Sequence, residues 1–228
     1  MKTSKTMKAF FDDFIIAKKA QGLADKTIKS YQSQFRAINN HLDVNVPIED
    51  ITKSDLEKMV TSMRNSNLAA NSISTYVRIL RVFLSWCNEE GITNLNMKPY
   101  KSEETIKETY SDGELKKLLK KPDLRKCNFA EYRSWVIVNL LLNNGCRAAT
   151  IRNIQNQDVD LDNQVIYLRH TKNKKAQVIL LCSELCSIIR EYMRVRGGGN
   201  DEYLFPNESG EQLKEYALRS SIARYNNR

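Results

Sequence analysis

Apolar side chains recur at intervals of three and four throughout the first ninety residues, which is the spacing of one face of an α-helix. Four runs of this kind follow one another, and their first apolar residues are Met7, Ile28, Leu56 and Ile73. Thr52, with Asp55 three residues later, has the pattern of a capping box at the start of the third run. Because each helix must bury its apolar face, the sequence predicts a helical domain over residues 1–91.

The helical spacing stops after Gly91. Residues 92–109 contain Pro99 among Lys, Ser, Glu and Thr, a composition typical of a linker. Beyond it, the run WVIVNLLL at 135–142 is apolar nearly all round, which predicts a helix in the middle of a domain. Gly145 predicts the end of that helix. We therefore predict a second domain over residues 110–228.

Three short stretches of the second domain have the alternation and composition of β-strands. They are Asp158 to Leu161, Gln164 to Arg169 and Gln177 to Leu181, joined by polar turns. Helical patterns follow over Ser183 to Arg196 and over Leu213 to Tyr225. The predicted fold class is mainly α with a small antiparallel β-sheet.

Composition limits the class of protein without identifying its partner. The chain has 36 Lys and Arg against 27 Asp and Glu, a net charge of +9, and the basic excess occurs in both halves. This excess favours an acidic partner only weakly, since many basic proteins bind none. No apolar run approaches the ~20 residues that span a bilayer. Two aspartates interrupt the N-terminal apolar stretch, which therefore makes a poor signal peptide. We expect a cytoplasmic protein without a membrane partner.

Polar faces lie opposite the apolar stripes of the second and fourth predicted helices. The candidate contacts to an acidic partner on these faces are Lys26, Lys29, Ser74, Thr75, Arg78 and Arg81. Hydroxyl and cationic side chains of this kind donate hydrogen bonds to DNA phosphates and base edges. A solvated helix face has the same pattern, and on the pattern alone it is the simpler interpretation.

Two further cationic sites lie in the second domain. Arg147 follows the buried helix, where it could clamp a phosphate, cap the helix carbonyls or pair with a carboxylate. Lys172, Lys174 and Lys175 lie on the predicted turn between the second and third strands. Such a lysine could protonate a leaving oxygen, although lysines on hairpin tips often serve only solubility.

The order of these features resembles that of the tyrosine recombinase (phage integrase) family. The segment GCRAATIRNIQNQDVDLDNQVIYL is similar to the one around the family's first catalytic arginine. TKNKKAQVILL resembles the stretch with its catalytic lysine, and YLFP is similar to a later element. The resemblance extends to the first half, including KTIKSY. It implies a SAM-like core-binding domain followed by part of the catalytic domain.

The resemblance also implies a chemistry and its partners. A tyrosine attacks a DNA phosphodiester to form a 3′-phosphotyrosyl link, Arg147 stabilises charge on the phosphorus, and Lys172 is the general acid toward the 5′-oxygen. Lys174 and Lys175 are expected to contact DNA. The implied partner is duplex DNA with a recombination core site, on which family members form tetramers. No cofactor or metal is implied, and we expect the free chain to be a monomer.

Two departures from the family pattern change the expected activity. Thr150 stands where the family usually has Glu or Asp, so Arg147 lacks a countercharge. The family's His-x-x-Arg box and nucleophilic tyrosine should follow the final helix, yet neither His41 nor His170 has an arginine three residues later. We expect a C-terminally truncated recombinase that binds DNA without cutting it. The alternatives are a non-enzymatic DNA-binding regulator or decoy, and a helical adaptor that binds protein.

Overall fold

The computed structural model describes residues 5–101, 109–169 and 177–226. The chain divides into two compact units, Met1–Lys107 and Glu108–Arg228, each with its own hydrophobic core. Within the described ranges, no helix has the length and apolar character needed to cross a membrane.

The first unit contains the four predicted helices. They are α1 (Met7–Ala20), α2 (Asp25–Ile38), α3 (Lys53–Asn65) and α4 (Ala70–Glu89), with a short 3-10 helix at Ile48–Asp50. The capping box that the sequence predicts is present at the start of α3. The backbone N–H of Thr52 donates to Asp55 Oδ2 at 3.0 Å, and the backbone N–H of Asp55 donates to Thr52 Oγ1 at 3.3 Å.

An aromatic cluster joins three of these helices. Phe83 of α4 is fully buried, and its ring centroid lies 5.4 Å from that of Phe11 and 5.6 Å from that of Phe14 on α1. Phe35 of α2 lies 6.0 Å from the same ring. Since buried aromatic rings contribute large apolar areas, this cluster fixes α2 against α4 and thereby sets the spacing of their polar faces.

The first part of the predicted linker packs on the first unit. We call residues 92–101 the strap; its half-buried residues on the core are Ile92, Leu95, Met97 and Tyr100. Arg81 Nε donates to the Met97 carbonyl at 2.9 Å, and Asn88 Nδ2 donates to the Leu95 carbonyl at 3.1 Å. The domain limits of 1–91, 92–109 and 110–228 stay a prediction.

The second unit is also largely helical. Its helices are α5 (Asp112–Leu119), α6 (Phe129–Asn144), α7 (Ala148–Ile151), α8 (Ser183–Arg196) and α9 (Glu215–Asn226). Helix α6 begins before the predicted apolar run because Asn128 caps it, its Oδ1 accepting the Glu131 N–H at 2.9 Å. Gly145 ends it in the left-handed conformation at φ +59°, as the sequence predicts. The expected burial along the whole run is wrong at its end, since Leu142 is exposed.

The strands form a three-stranded antiparallel sheet in the order β1 (Val159–Asp160), β2 (Val165–Leu168) and β3 (Gln177–Leu180). Ile166 pairs with Ile179 on the face turned to the core, where Ile166 is fully buried. On the other face, Tyr167 pairs with Val178, and both are exposed. The predicted fold class, mainly α with a small antiparallel sheet, is confirmed.

Candidate nucleic-acid interface

The polar faces of α2 and α4 meet in one groove of about 550 Å³. Its lining carries no charged residue and consists of Ser30, Ser33, Gln34, Ala37, Asn71, Ser72, Thr75 and Tyr76. The aromatic cluster holds the two helices together, and the short polar side chains between them leave the space of the groove. Hydroxyl and amide groups from both helices can therefore reach a single ligand.

Cationic side chains continue the same helix faces beyond the groove. Lys26 lies one turn before Ser30 on α2, and Arg78 lies one turn after Thr75 on α4, since residues four and three apart share a helix face. Both cations are exposed. A neutral groove with cations beside it suits a nucleic acid, whose bases are neutral and whose backbone is charged.

The remaining predicted contacts occupy neighbouring flanks of the two helices. Lys29 is exposed on α2 and lies one turn before the groove residue Ser33. Ser74 and Arg81 are seven residues apart on α4 and share the flank that meets the strap, where Arg81 Nε holds the Met97 carbonyl. Among the described residues that were predicted to contact DNA, Thr75 is therefore the one that lines the groove itself, and the others lie beside it.

Seven residues of the groove lining are not among the residues predicted to contact DNA: Ser30, Ser33, Gln34, Ala37, Asn71, Ser72 and Tyr76. They lie on the sides of α2 and α4 that approach each other. On a helical wheel of one helix alone, they lie at the boundary between the apolar and the polar face, where nothing distinguishes them as binding residues. Finding them requires knowing that α2 packs against α4, which is a feature of the tertiary structure.

Helices α2 and α4 also begin without a side-chain cap. Ala24 and Ala69 occupy their N-cap positions, and neither can accept a hydrogen bond through its side chain. By contrast, Thr52 caps α3 and Thr6 caps α1. In place of a side-chain cap, the Ala24 carbonyl accepts the backbone N–H of Thr27 and the Ala69 carbonyl accepts that of Ser72, both at 2.8 Å.

Arg147 lies at the N-cap position of α7, on the second unit. Its carbonyl accepts the backbone N–H groups of Thr150 at 2.9 Å and Ile151 at 3.2 Å, which fixes the backbone in the first turn. The side chain is exposed, and its guanidinium makes no hydrogen bond or ion pair with any residue in the described ranges. Of the predicted structural alternatives, neither a carbonyl cap nor a carboxylate pair is present there, and the charge is open to a ligand.

Lys172, Lys174 and Lys175 lie outside the described residues. The flanking strands are described: Leu168 of β2 pairs with Gln177 of β3, so residues 169–176 connect two adjacent antiparallel strands. At the base of this connection, Arg169 forms an ion pair with the buried Asp158, their Nε and Oδ1 atoms 2.5 Å apart. The predicted meeting of Lys172 with Arg147 stays a prediction.

The tyrosines of the second unit differ in their access to a ligand. Burial raises the pKa of Tyr132 to about 12 and also raises that of Tyr192, which disfavours their phenolate forms. Tyr225 is buried on α9 and donates to the Leu118 carbonyl at 2.9 Å, a structural role. Tyr216, also on α9, is exposed.

The cysteines and the described potential metal ligands give no alternative site. All five cysteines are free, and burial raises the pKa of the Cys87 thiol to about 12 and also raises that of Cys146. Over the parts of the chain that the structure describes, no cluster of three or more His, Cys, Asp or Glu side chains could hold a metal ion.

Comparison with known protein families decides the membership of the chain. A model of the phage integrase family matches residues 109–228. A model of the phage integrase N-terminal SAM-like domain matches residues 8–91. The chain belongs to the phage integrase family. The predicted family is thereby confirmed, and the SAM-like match coincides with the four helices that form the groove.

Curated relatives of this phage integrase family member are recombinases. A probable integrase/recombinase protein of Methanocaldococcus jannaschii is 23% identical over 227 residues, which cover 94% of this chain and 67% of the relative. The tyrosine recombinase XerA of Saccharolobus solfataricus is 26% identical over 213 residues, covering 86% of this chain and 65% of the relative. The chain thus spans about two thirds of the length of these relatives.

Solved integrase structures have the same fold. A lambda integrase (75–356) dimer bound to a COC′ core site has a TM-score of 0.79 at 17% identity, covering 98% of this chain and 81% of the other. A lambda integrase tetramer bound to a Holliday junction has a TM-score of 0.76 at 18% identity, covering 99% and 64%. The likeness shows that this family member has the fold of the lambda integrase core.

Proposed function

We propose that the chain is the DNA-binding and partial catalytic portion of a site-specific tyrosine recombinase, and that it binds duplex DNA at a recombination core site. The observation that carries this proposal is the groove between α2 and α4, which is neutral inside and flanked by cations. The proposed DNA contacts are Lys26, Lys29, Ser74, Thr75, Arg78, Arg81, Lys174 and Lys175. Family membership and the DNA bound to the lambda integrase structures support it.

The proposed domains follow the sequence pattern. Residues 1–91 form the core-binding domain, 92–109 the linker and 110–228 the N-terminal portion of the catalytic domain. The strap lies within this linker, and its packing on the first unit leaves the linker's remaining residues to join the domains. We propose a monomer in free solution and assembly into tetramers on paired sites, as the lambda integrase tetramer on a Holliday junction suggests.

The proposed chemistry assigns two residues of this chain to the scissile phosphate. The guanidinium of Arg147 stabilises the negative charge that develops on the phosphoryl oxygens, for which its lack of a partner in the described ranges leaves it available. Lys172 donates a proton to the 5′-oxygen as the bond to phosphorus breaks. The nucleophile is a tyrosine hydroxyl that becomes linked to the 3′-phosphate, and no metal or cofactor takes part.

The 228 residues contain no His-x-x-Arg sequence, since His41 and His170 are the only histidines and neither precedes an arginine at that spacing. We propose that these residues alone bind DNA without cleaving it. The same observation favours a second function, a DNA-binding regulator or decoy that occupies recombination sites. Thr150 leaves Arg147 without the acidic neighbour that the family usually has, which further weakens a catalytic role.

Binding is tested with fluorescence anisotropy of a labelled mixed-sequence duplex and two charge-matched variants. Arg78→Glu reverses a cation beside the groove, whereas Lys19→Glu reverses an exposed cation of α1. We expect Arg78→Glu to weaken binding far more than Lys19→Glu, because only the first repels phosphates at the proposed surface. Equal losses would mean that net charge alone drives association, and the proposed surface would be wrong.

Cleavage is tested with a nicked suicide duplex that traps a phosphotyrosyl adduct. The 228 residues should give no covalent product on a denaturing gel, and an established tyrosine recombinase with its own site is the positive control. A trapped adduct would contradict the proposed inactivity, and peptide mapping would then identify the tyrosine used.

A further inference from the structure

Asn71 differs from its neighbours in the groove because its side chain is uncommitted. Gln34 Nε2 donates to Ser30 Oγ at 2.9 Å, and Thr75 Oγ1 donates to the Asn71 carbonyl at 2.9 Å. The carboxamide of Asn71 forms no hydrogen bond with any described residue, and the side chain is exposed. Its two N–H donors and its oxygen are therefore all available to a ligand.

The position of Asn71 suits contact with the interior of a nucleic-acid groove. It is the second residue of α4, and it is followed along the same face by the half-buried Thr75 and the exposed Arg78. When a helix enters the major groove of DNA, residues in its N-terminal turns reach the base edges. Arg78, two turns further along, is then placed toward the phosphates at the border of the groove.

The chemistry of a carboxamide narrows the base that it recognises. Adenine presents an N7 acceptor beside an N6 donor in the major groove, and an Asn or Gln amide matches both at once. Hydroxyl groups, which form most of the remaining groove lining, contact any base. Gln34 keeps one N–H and its oxygen, but its amide is held by the hydrogen bond to Ser30, whereas the amide of Asn71 is free to orient toward a base.

We propose that Asn71 reads an adenine edge in the major groove of the target duplex and is a specificity-determining residue of this chain. The cations beside the groove supply affinity without sequence preference. This inference rests on the proposed function, since it requires that the groove between α2 and α4 binds duplex DNA.

The test is selection from a library of duplexes with a randomised central segment, at fixed salt, followed by sequencing of the bound fraction. The variants are Asn71→Ala, Asn71→Asp and, as a control, Asn65→Ala, an exposed asparagine at the end of α3. Asn71→Asp should fold, because an acidic residue in the first turn of a helix is favourable. Circular dichroism and thermal unfolding of each variant establish that it is folded.

The original chain and Asn65→Ala should enrich adenine at one fixed position, with a preference over other bases of about 5- to 150-fold. Asn71→Ala should lose the preference at that position alone. Asn71→Asp should favour cytosine there, since a carboxylate accepts from cytosine N4. An unchanged adenine preference in Asn71→Ala would overturn the inference and leave the proposed function standing. Binding without any sequence preference in the original chain would overturn the inference and the proposed recognition of a core site, and would leave only duplex binding. Failure of the original chain to bind DNA would overturn both.

Discussion

Two flanks of α4 carry polar side chains, and the structure uses them differently. On the groove flank, Asn71 and Thr75 face the space shared with α2. On the strap flank, Arg81 and Asn88 donate to carbonyls of residues 92–101. The groove flank therefore leaves the amide of Asn71 available to a ligand. The strap flank uses its amide and guanidinium groups to hold the chain's own backbone.

The difference shows that a polar helix face does not by itself indicate a binding surface. Arg78 and Arg81 are three residues apart and belong to the same predicted face. Arg78 makes no hydrogen bond or ion pair with the described residues, whereas Arg81 has its Nε fixed by Met97. A fixed Nε leaves the terminal nitrogens of Arg81 for a phosphate, so Arg81 is expected to serve both folding and binding.

The largest expected effect comes from the buried face between these flanks. Phe83→Ala removes the ring that contacts α1 and α2, and we expect it to lower the free energy of unfolding of the first unit by about 3–5 kcal/mol. Chemical denaturation measures this loss. Val82→Ala, at an exposed neighbouring position, should change stability by less than ~0.5 kcal/mol. Similar losses in both variants would show that the aromatic cluster does not hold the helices.

A smaller effect separates the two arginines. Arg81→Ala should lower the free energy of unfolding by about 1 kcal/mol, because the Met97 carbonyl loses its donor. Arg78→Ala should leave stability unchanged and reduce the slope of log affinity against log salt by about one. Denaturation and DNA titration of both variants measure the two effects. Equal destabilisation by both substitutions would contradict the division of α4 into two flanks.

The smallest effect concerns the contrast between the capped α3 and the uncapped α4. The side-chain hydrogen bond from Thr52, followed by the one from its backbone N–H, holds the pKa of Asp55 below its usual value of 3.8. Because the folded pKa is lowered, this stabilisation is complete above the unfolded pKa and is lost as the pH falls through the folded pKa. Thr52→Ala should return the pKa of Asp55 toward 3.8.

An NMR pH titration of the carboxyl carbons measures this change. Glu114, whose pKa is lowered by Ser111 in a similar capping box of the second unit, is the internal control. Its titration should be the same in Thr52→Ala and in the original chain. An unchanged pKa of Asp55 would show that the side chain of Thr52 does not stabilise the carboxylate.

The sequence predicts the elements of the first unit well, because each helix buries a stripe at regular spacing and α3 carries its own cap. It does not predict that residues 92–101 pack on that unit. Their side chains are spaced without period, and their attachment depends on Arg81 and Asn88 reaching backbone carbonyls. Contacts of this kind depend on tertiary geometry, which local periodicity does not encode.

The candidate site, like the fold, can be predicted from the sequence only in part. The polar faces of α2 and α4 follow from helix periodicity, but their convergence in a groove with Gln34 and Tyr76 depends on the aromatic core. In the second unit, the position of Arg147 after a glycine stop is readable from the sequence. Its exposure at the start of α7 is not readable, because it depends on how the chain turns after α6.

The most direct test of DNA binding through the first unit is the affinity for duplex DNA measured across a salt series. Phosphate contacts release counterions, so a surface that neutralises about 6–10 phosphates loses roughly 10³- to 10⁵-fold in affinity between about 50 and 200 mM salt. We expect a loss in this range, with a shallower slope for Arg78→Ala. An affinity that does not change over this range would contradict the proposed interface.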